Sequence, residues 1–182
     1  PLKFIGCIFK QHLFTMLSTD IVDTLFAIFK GIRFMLVEGK HYRTIWPNKA
    51  LTGVTIIDQT YLPFEFKLSK LTSLDEVVEA IKFMRVRGAP LIGVTGAYGI
   101  AIALTNNSND QSLANAKKKL IESRPTAVNL SWAVTLMFDQ LKKEVSSNRA
   151  SIAWMLAEKI ANEDIKINQT IGEFGYKLFH KV

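Results

Sequence analysis

Cysteine and histidine are scarce in this chain of 182 residues. Cys7 is the single cysteine, and the histidines His12, His41 and His180 lie far apart in the sequence. One cysteine cannot form an internal disulfide, so nothing points to an oxidising compartment. No CxxC pair and no His/Cys spacing typical of a metal site is present. We therefore expect neither a metal ion nor a disulfide framework.

A long uninterrupted apolar run is also missing from residues 1–34, although this segment is rich in Phe, Leu and Ile. Four charged residues interrupt every window long enough to cross a bilayer: Asp20, Asp23, Lys30 and Arg33. The segment also lacks the pattern of a secretory signal. Two interpretations of this leader stay open. It is either sequence upstream of a true start at Met35, or an amphipathic helical arm, because apolar residues recur at helical spacing from Leu13 to Ile32.

Acidic residues are outnumbered, with 16 Asp+Glu against 23 Lys+Arg and a net charge of +7. Such a balance fits an anionic ligand and would also fit nucleic acid. However, no basic stripe interleaved with aromatic residues occurs, and the longest cationic run, Lys117–Lys119, is typical of a solvated helix face. The charge therefore favours a small anionic ligand, with no nucleic acid and no membrane as partners.

Three short β-branched or alternating segments precede a helical remainder, so we predict an α+β fold. The strands are expected at Tyr42–Trp46, Val54–Thr60 and Glu65–Leu68, which suggests a small antiparallel three-stranded sheet within residues 35–72. A helical bundle then fills residues 73–182. Its segments are predicted at Ser73 to Val86 (opened by a Ser73/Glu76 capping box), Pro90 to Leu104, Asp110 to Ser123, Thr126 to Val145, Ala150 to Asn162, and Glu163 to Val182, the last weakened by Gly172 and Gly175.

Two stretches carry the strongest functional signal: RVRGAPLIGVTGAYG at 85–99 and RPTAVNL at 124–130. In each, an arginine (Arg87 or Arg124) precedes a proline and a predicted helix start, where the helix dipole disfavours a cation. Free backbone N–H groups and a guanidinium aimed at one spot can hold a phosphate. Gly88 would leave the N–H groups of its junction open, whereas Arg85 is expected to point elsewhere. The alternative, two solvated surface arginines, stays open.

Gly93, Gly96 and Gly99 recur every three residues inside a predicted helix. A dinucleotide-binding loop would need a strand before the glycines, and here a helix precedes them. Because helical glycines cost roughly 1 kcal/mol each relative to alanine, close packing against another helix is the favoured explanation.

The sequence shows no matching catalytic constellation. Asp58, Glu76 and Asp164 do not form an obvious acid/base pair. No Ser-His-Asp or Cys-His pattern typical of nucleophilic catalysis can be recognised in the sequence. The residues therefore indicate a binding function without the groups that would carry out a reaction.

Four motifs together resemble the N-terminal domain of S-methyl-5-thioribose-1-phosphate isomerases: GKHYRTIW (39–46), IDQTYLP (57–63), VRGAPLIGVTGAYG (86–99) and RPTAVNLSWA (124–133). The resemblance runs from about Met35 to Val182. Regulatory subunits of translation initiation factor 2B and ribose-1,5-bisphosphate isomerases share this architecture, but the first two motifs favour the methylthioribose-phosphate enzymes.

The resemblance implies an aldose–ketose isomerase of methionine salvage, which converts 5-methylthioribose 1-phosphate to 5-methylthioribulose 1-phosphate. It further implies that Arg87, Gly88, Ala89 and Arg124 bind the substrate, that no cofactor is used, and that the full-length enzyme is a cytoplasmic homodimer. Residues 35–182 would then be the substrate-clamping domain.

One departure from the family bears on activity. The family's catalytic cysteine and aspartate belong to a C-terminal Rossmann-like domain, and the cysteine's motif would follow soon after residues 172–179. The chain ends at Val182, and Cys7 lies outside any such motif. We therefore expect a truncated polypeptide that is inactive alone. The alternative is a non-catalytic regulatory or scaffold protein related to the initiation factor 2B subunits.

Overall fold

The structure, a computed structural model, describes residues 35–179 of a chain that divides into two compact units, Pro1–Arg43 and Thr44–Val182. The predicted leader helix lies outside the described residues. In the first unit, strands β1 (Met35–Val37) and β2 (Lys40–Tyr42) form an antiparallel hairpin. Both turn residues, Glu38 and Gly39, have positive φ angles of 49° and 78°. This geometry matches the right-handed twist of paired strands.

The second unit opens with an antiparallel three-stranded sheet, as predicted. Its strands β3 (Ile45–Pro47), β4 (Val54–Ile57) and β5 (Leu68–Leu71) pair in the order β3-β4-β5. The central strand buries Val54, Ile56 and Ile57. It therefore supplies the apolar face that packs into the core of this unit.

The predicted strand Glu65–Leu68 is wrong, because β5 starts only at Leu68. The backbone N–H groups of Phe64 and Glu65 both donate to the carbonyl oxygen of Tyr61, so they close a turn and are unavailable to a strand ladder. The side chain of Phe64 is 96% exposed in this turn. Alternation over a few residues therefore predicted a strand where local hydrogen bonds form a turn.

Five helices follow in the described part of the second unit: α1 (Leu74–Lys82), α2 (Ala89–Asn106), α3 (Asp110–Ser123), α4 (Val128–Leu141) and α5 (Ser146–Phe179). The capping box of α1 is present, since the Ser73 hydroxyl accepts from the Glu76 backbone N–H and the Glu76 carboxylate accepts from the Ser73 backbone N–H. The helix ends at Lys82 rather than near Val86, because Met84 adopts a φ of +57°.

Helix α5 is continuous over 34 residues, where separate segments had been predicted. Gly172 and Gly175 lie inside it and do not interrupt it. Each glycine costs roughly 1 kcal/mol in a helix interior, which the hydrogen bonds of the flanking turns outweigh.

Helix α2 is the centre of the second unit and contacts α1, α3, α4 and α5. Every residue from Leu91 to Ile102 is buried. The length and composition of α2 would suffice to cross a membrane, but its apolar surface is enclosed by the other helices. A helix that is apolar all round is typical of such a central position.

The three α2 glycines are packing sites, as predicted. A Cβ at Gly93 would lie 2.9 Å from the backbone oxygen of Asn129 in α4, and one at Gly96 would collide with the Leu130 side chain. At Gly99 a Cβ would lie 2.9 Å from a methyl group of Val77. The glycines therefore let α1 and α4 approach the backbone of α2.

A buried arginine fixes the opposite end of the bundle. Arg149 of α5 donates from Nη1 to the Ser108 carbonyl oxygen (2.9 Å) and pairs with Asp110 (2.8 Å), while Nη2 donates to the Glu144 carbonyl oxygen (3.0 Å). Ser108 follows the last turn of α2, and Glu144 follows the last turn of α4. This anchor therefore lies about 27 Å along α2 from its first residue.

The close approach at Gly93 gives a direct stability test. We expect Gly93→Ala to destabilise the fold by about 1–3 kcal/mol, because the backbones of α2 and α4 must separate to admit the methyl group. Gly172→Ala on α5 is the matched control. A Cβ at Gly172 would meet no atom within 4 Å, so the higher helix propensity of alanine should stabilise the fold by about 0.5–1 kcal/mol. Urea unfolding measures both, and equal effects would contradict the packing role.

Candidate functional site

The N-terminal turns of α2 and α4 lie side by side. Gly93 of α2 faces the backbone of Asn129, and three residues further on Gly96 faces Leu130 and Val134 of α4. Because the contacts advance in the same direction along both helices, the two helices run the same way where they touch. Each helix N-terminus presents backbone N–H groups without intrahelical acceptors and a partial positive charge. Two such ends are therefore brought together.

Neither of these two N-termini is capped by a side chain. The N-cap residues are Gly88 for α2 and Ala127 for α4, and the first turn of each helix contains no acidic residue. In contrast, α1 is capped by the Ser73 hydroxyl and α3 by the Asn109 side chain. Among α1 to α4, the two helices whose N-cap residue makes no side-chain hydrogen bond are thus the two whose N-termini meet.

Gly88 is required by its backbone conformation. Its φ of +94° and ψ of 131° lie in a region that residues with a Cβ rarely adopt. A Cβ added there would meet no atom within 4 Å, so the restriction is conformational and the space around the residue is open. Ala89 and Pro90 begin α2 directly afterwards, and both are exposed. An anion can therefore approach this backbone.

Arg87 and Arg124 flank these helix ends, but in different ways. Arg87 is exposed directly before Gly88, and its Nε donates only to the Met84 carbonyl oxygen at 3.3 Å. Arg124 is half-buried and is the C-cap of α3. A cation is favoured at a helix C-terminus, so the predicted electrostatic conflict at Arg124 is wrong. Neither arginine forms an ion pair with a carboxylate of residues 35–179.

Asp58 and Arg85 form a buried ion pair that sequence reasoning missed. Asp58 is 3% exposed, and its Oδ2 accepts from Arg85 Nε at 2.8 Å and from the Ser69 hydroxyl at 3.3 Å. Its Oδ1 accepts from the backbone N–H and the hydroxyl of Thr60. Burial alone would raise the pKa of Asp58, but the hydrogen bonds from Thr60 and Arg85 outweigh it and hold the pKa below 3.8. The Arg85 side chain is thus directed to Asp58.

Two apolar side chains are exposed at the start of α4: Val128 is 78% and Trp132 is 55% exposed. They are four residues apart and therefore share one face of the helix. Among residues 35–179, no group of three His, Cys, Asp or Glu side chains is arranged to hold a metal ion. The arrangement thus offers backbone donors, two guanidinium groups and an apolar surface.

Comparison with known proteins identifies the family of the chain. The model of the initiation factor 2 subunit family matches residues 85–182. The methylthioribose-1-phosphate isomerase of Escherichia coli O45:K1 is 45% identical over 148 residues, which cover 81% of this chain and 40% of the relative. The chain thus spans about two fifths of the length of the isomerases that it matches.

Two solved structures resemble the chain to similar degrees. One is the 5-methylthioribose 1-phosphate isomerase from Pyrococcus horikoshii OT3, with a TM-score of 0.70 and 33% identity over 76% of this chain and 41% of that one. The other is the translation initiation factor eIF-2B subunit delta from A. fulgidus, with a TM-score of 0.68 and 34% identity over 75% of this chain and 41% of that one. The shared fold therefore does not separate an enzyme from a translation factor.

The buried ion pair predicts how stability depends on pH. Because the folded-state pKa of Asp58 is lowered, its contribution is present above the unfolded pKa and is lost as pH falls through the folded pKa. We expect Asp58→Asn to lose about 3 kcal/mol of stability near pH 7. The difference in stability between wild type and Asp58→Asn should shrink as the pH falls below about 5 and through the lowered folded-state pKa.

The comparison must use variants, since Glu76 also has a lowered pKa owing to hydrogen bonds from Thr72 and Ser73. Asp75→Asn is the control, because Asp75 pairs with Lys119 at the surface and such pairs contribute about 0–1 kcal/mol. Urea unfolding across this pH range measures the stabilities of wild type and both variants. A difference between wild type and Asp58→Asn that does not depend on pH would contradict the assignment.

Proposed function

This chain belongs to the initiation factor 2 subunit family, and we propose that it forms the sugar-phosphate-binding part of a methylthioribose-1-phosphate isomerase. In this proposal the phosphate of 5-methylthioribose 1-phosphate lies where the N-termini of α2 and α4 meet. The relatives named as isomerases, at 43–45% identity over 81% of this chain, support the substrate class.

The observation that carries the proposal is the pair of adjoining, uncapped helix N-termini. A phosphate there would accept hydrogen bonds from the backbone N–H groups of Gly88 and Ala89 and of the first turn of α4. Arg87 and Arg124 would add charge-assisted hydrogen bonds from their guanidinium groups. Val128 and Trp132 would offer an apolar surface to the methylthio end of the substrate.

Binding, and not proton transfer, is the contribution that we assign to residues 35–179. An aldose–ketose isomerisation moves a hydrogen between C1 and C2, which requires a positioned acid/base group. The buried carboxylate of Asp58 is occupied by four hydrogen-bond donors, and we assign it no part in that step. We therefore propose that the chain binds substrate without turnover. A cytoplasmic homodimer remains part of the proposal, and sedimentation of the purified chain would test the dimer.

A second candidate is a non-catalytic subunit of the initiation factor 2B type. The observation in its favour is the nearly equal structural similarity to the eIF-2B delta subunit. The two candidates differ in ligand specificity. An isomerase part should prefer 5-methylthioribose 1-phosphate over both 5-methylthioribose and inorganic phosphate, whereas a scaffold subunit has no reason to show that preference.

The arginines provide the test of the binding site. We expect Arg87→Ala and Arg124→Ala each to weaken binding of 5-methylthioribose 1-phosphate roughly tenfold or more, because each removes a charge-assisted hydrogen bond to the phosphate. Isothermal titration calorimetry on the full chain measures the dissociation constants.

Lys118→Ala is the matched control, because it removes one positive charge from the exposed face of α3. Its affinity should equal that of the wild type. Wild-type affinity in both arginine variants would refute the site, and the absence of any wild-type binding would refute the proposed function.

A further inference from the structure

The ion pair between Asp58 and Arg85 connects the sheet to the segment that leads into α2. Asp58 follows the last residue of β4, and its four hydrogen-bond donors come from three places: the β4–β5 connection, β5 and the α1–α2 connection. The pair joins residues 27 positions apart in the sequence. It is therefore a tertiary link and not a local turn interaction.

Arg85 is held through its backbone as well as its side chain. Its carbonyl oxygen accepts from the Gln59 N–H at 2.9 Å, and its own N–H donates to the Ala80 carbonyl oxygen at 2.9 Å. The next residue, Val86, is completely buried. The α1–α2 connection is thus bound to the sheet on one side and to α1 on the other, immediately before the exposed Arg87 and Gly88.

Arg87 and Gly88 have few other contacts, apart from the Gly88 carbonyl oxygen, which accepts from the Ile92 N–H at 3.0 Å at the start of α2. Both are exposed, and the Arg87 side chain has only its long hydrogen bond to Met84 within the same connection. Gly88 is only three residues from Arg85, a reach of at most about 11 Å for an extended chain. The path of the connection through Arg87 to Gly88 therefore depends on where Arg85 is held, whereas α2 from Leu91 onward is placed by its packing.

We infer that Asp58 is a positioning residue for the candidate phosphate site, which it serves by anchoring Arg85 and thereby setting the place of Arg87 and Gly88. This inference rests on the proposed function above. Replacing the carboxylate leaves the guanidinium of Arg85 without its anionic partner. Because this side chain is mostly shielded from solvent, an unpaired charge there is costly and the side chain is expected to move. The connection would shift, and the backbone donors of Gly88 and Ala89 would shift with it.

The test combines affinity with a local spectroscopic signal on the full chain. Asp58→Asn and Arg85→Ala are expected to weaken binding of 5-methylthioribose 1-phosphate about tenfold and to displace the Gly88 amide resonance in a ¹H–¹⁵N correlation spectrum. Arg85→Lys keeps a cationic donor for Asp58 and should recover most of the affinity that Arg85→Ala loses.

Arg149→Met is the control for mere destabilisation. It removes a buried arginine at the far end of α2, so it should lower the melting temperature while leaving the affinity and the Gly88 resonance unchanged. If Asp58→Asn does not fold, Arg85→Ala and Arg85→Lys carry the same comparison at a side chain that is partly exposed.

The outcomes separate the two proposals. If the wild type binds the ligand and both variants keep its affinity and its Gly88 resonance, the positioning role is overturned. If Arg149→Met weakens binding as much as Asp58→Asn does, the effect is general destabilisation and the inference also fails. If the wild type does not bind, the proposed function fails, and the Gly88 resonance in the variants still decides whether Asp58 sets the place of Gly88.

Discussion

The approach of α2 to the backbone of α4 is the constraint on which the rest of the second unit depends. At Gly93 the two helices are so close that one added carbon would lie 2.9 Å from the Asn129 carbonyl oxygen. Glycine within a helix is costly, yet three glycines occur in the most buried helix of the described chain. Their cost is offset by the packing of α2 against four helices, and that packing places two helix N-termini side by side.

The two adjoining helix N-termini also lack side-chain caps. The helices α1 and α3 each have a side-chain N-cap, supplied by Ser73 and by Asn109. A side-chain N-cap stabilises a helix by about 1 kcal/mol. Helices α2 and α4 lack this stabilisation where their N-termini adjoin. Departures from local stability rules are expected at functional sites, because a side chain that satisfied these donors would occupy the ligand's position. The proposed phosphate site would explain why α2 and α4 have no side-chain cap at their N-termini.

Local signals allowed much of this to be predicted from the sequence. The capping box of α1, the bounds of α3 and the three-stranded sheet follow from side chains that act on their own neighbours. Alternation failed at Glu65, where the carbonyl oxygen of Tyr61 competes for the N–H groups. Candidate site residues could be proposed from the sequence, but the meeting of the two helix ends rests on a contact between residues 36 positions apart (129 − 93). The link from Asp58 to Arg85 is likewise tertiary, and no local pattern reveals it.

The ionisation of Asp58 makes it suited to a structural role and unsuited to proton transfer. A carboxylate whose pKa is lowered stays ionised at neutral pH, so it cannot act as a general acid there. Its oxygens already accept four hydrogen bonds, and a base in that position would have to give up the Arg85 guanidinium in order to take a proton. The same features that disqualify Asp58 from proton transfer suit it to hold a peptide segment in one place. A charge that does not change its protonation state near neutral pH keeps its partner fixed there, which is what the proposed phosphate site would require of a positioning residue.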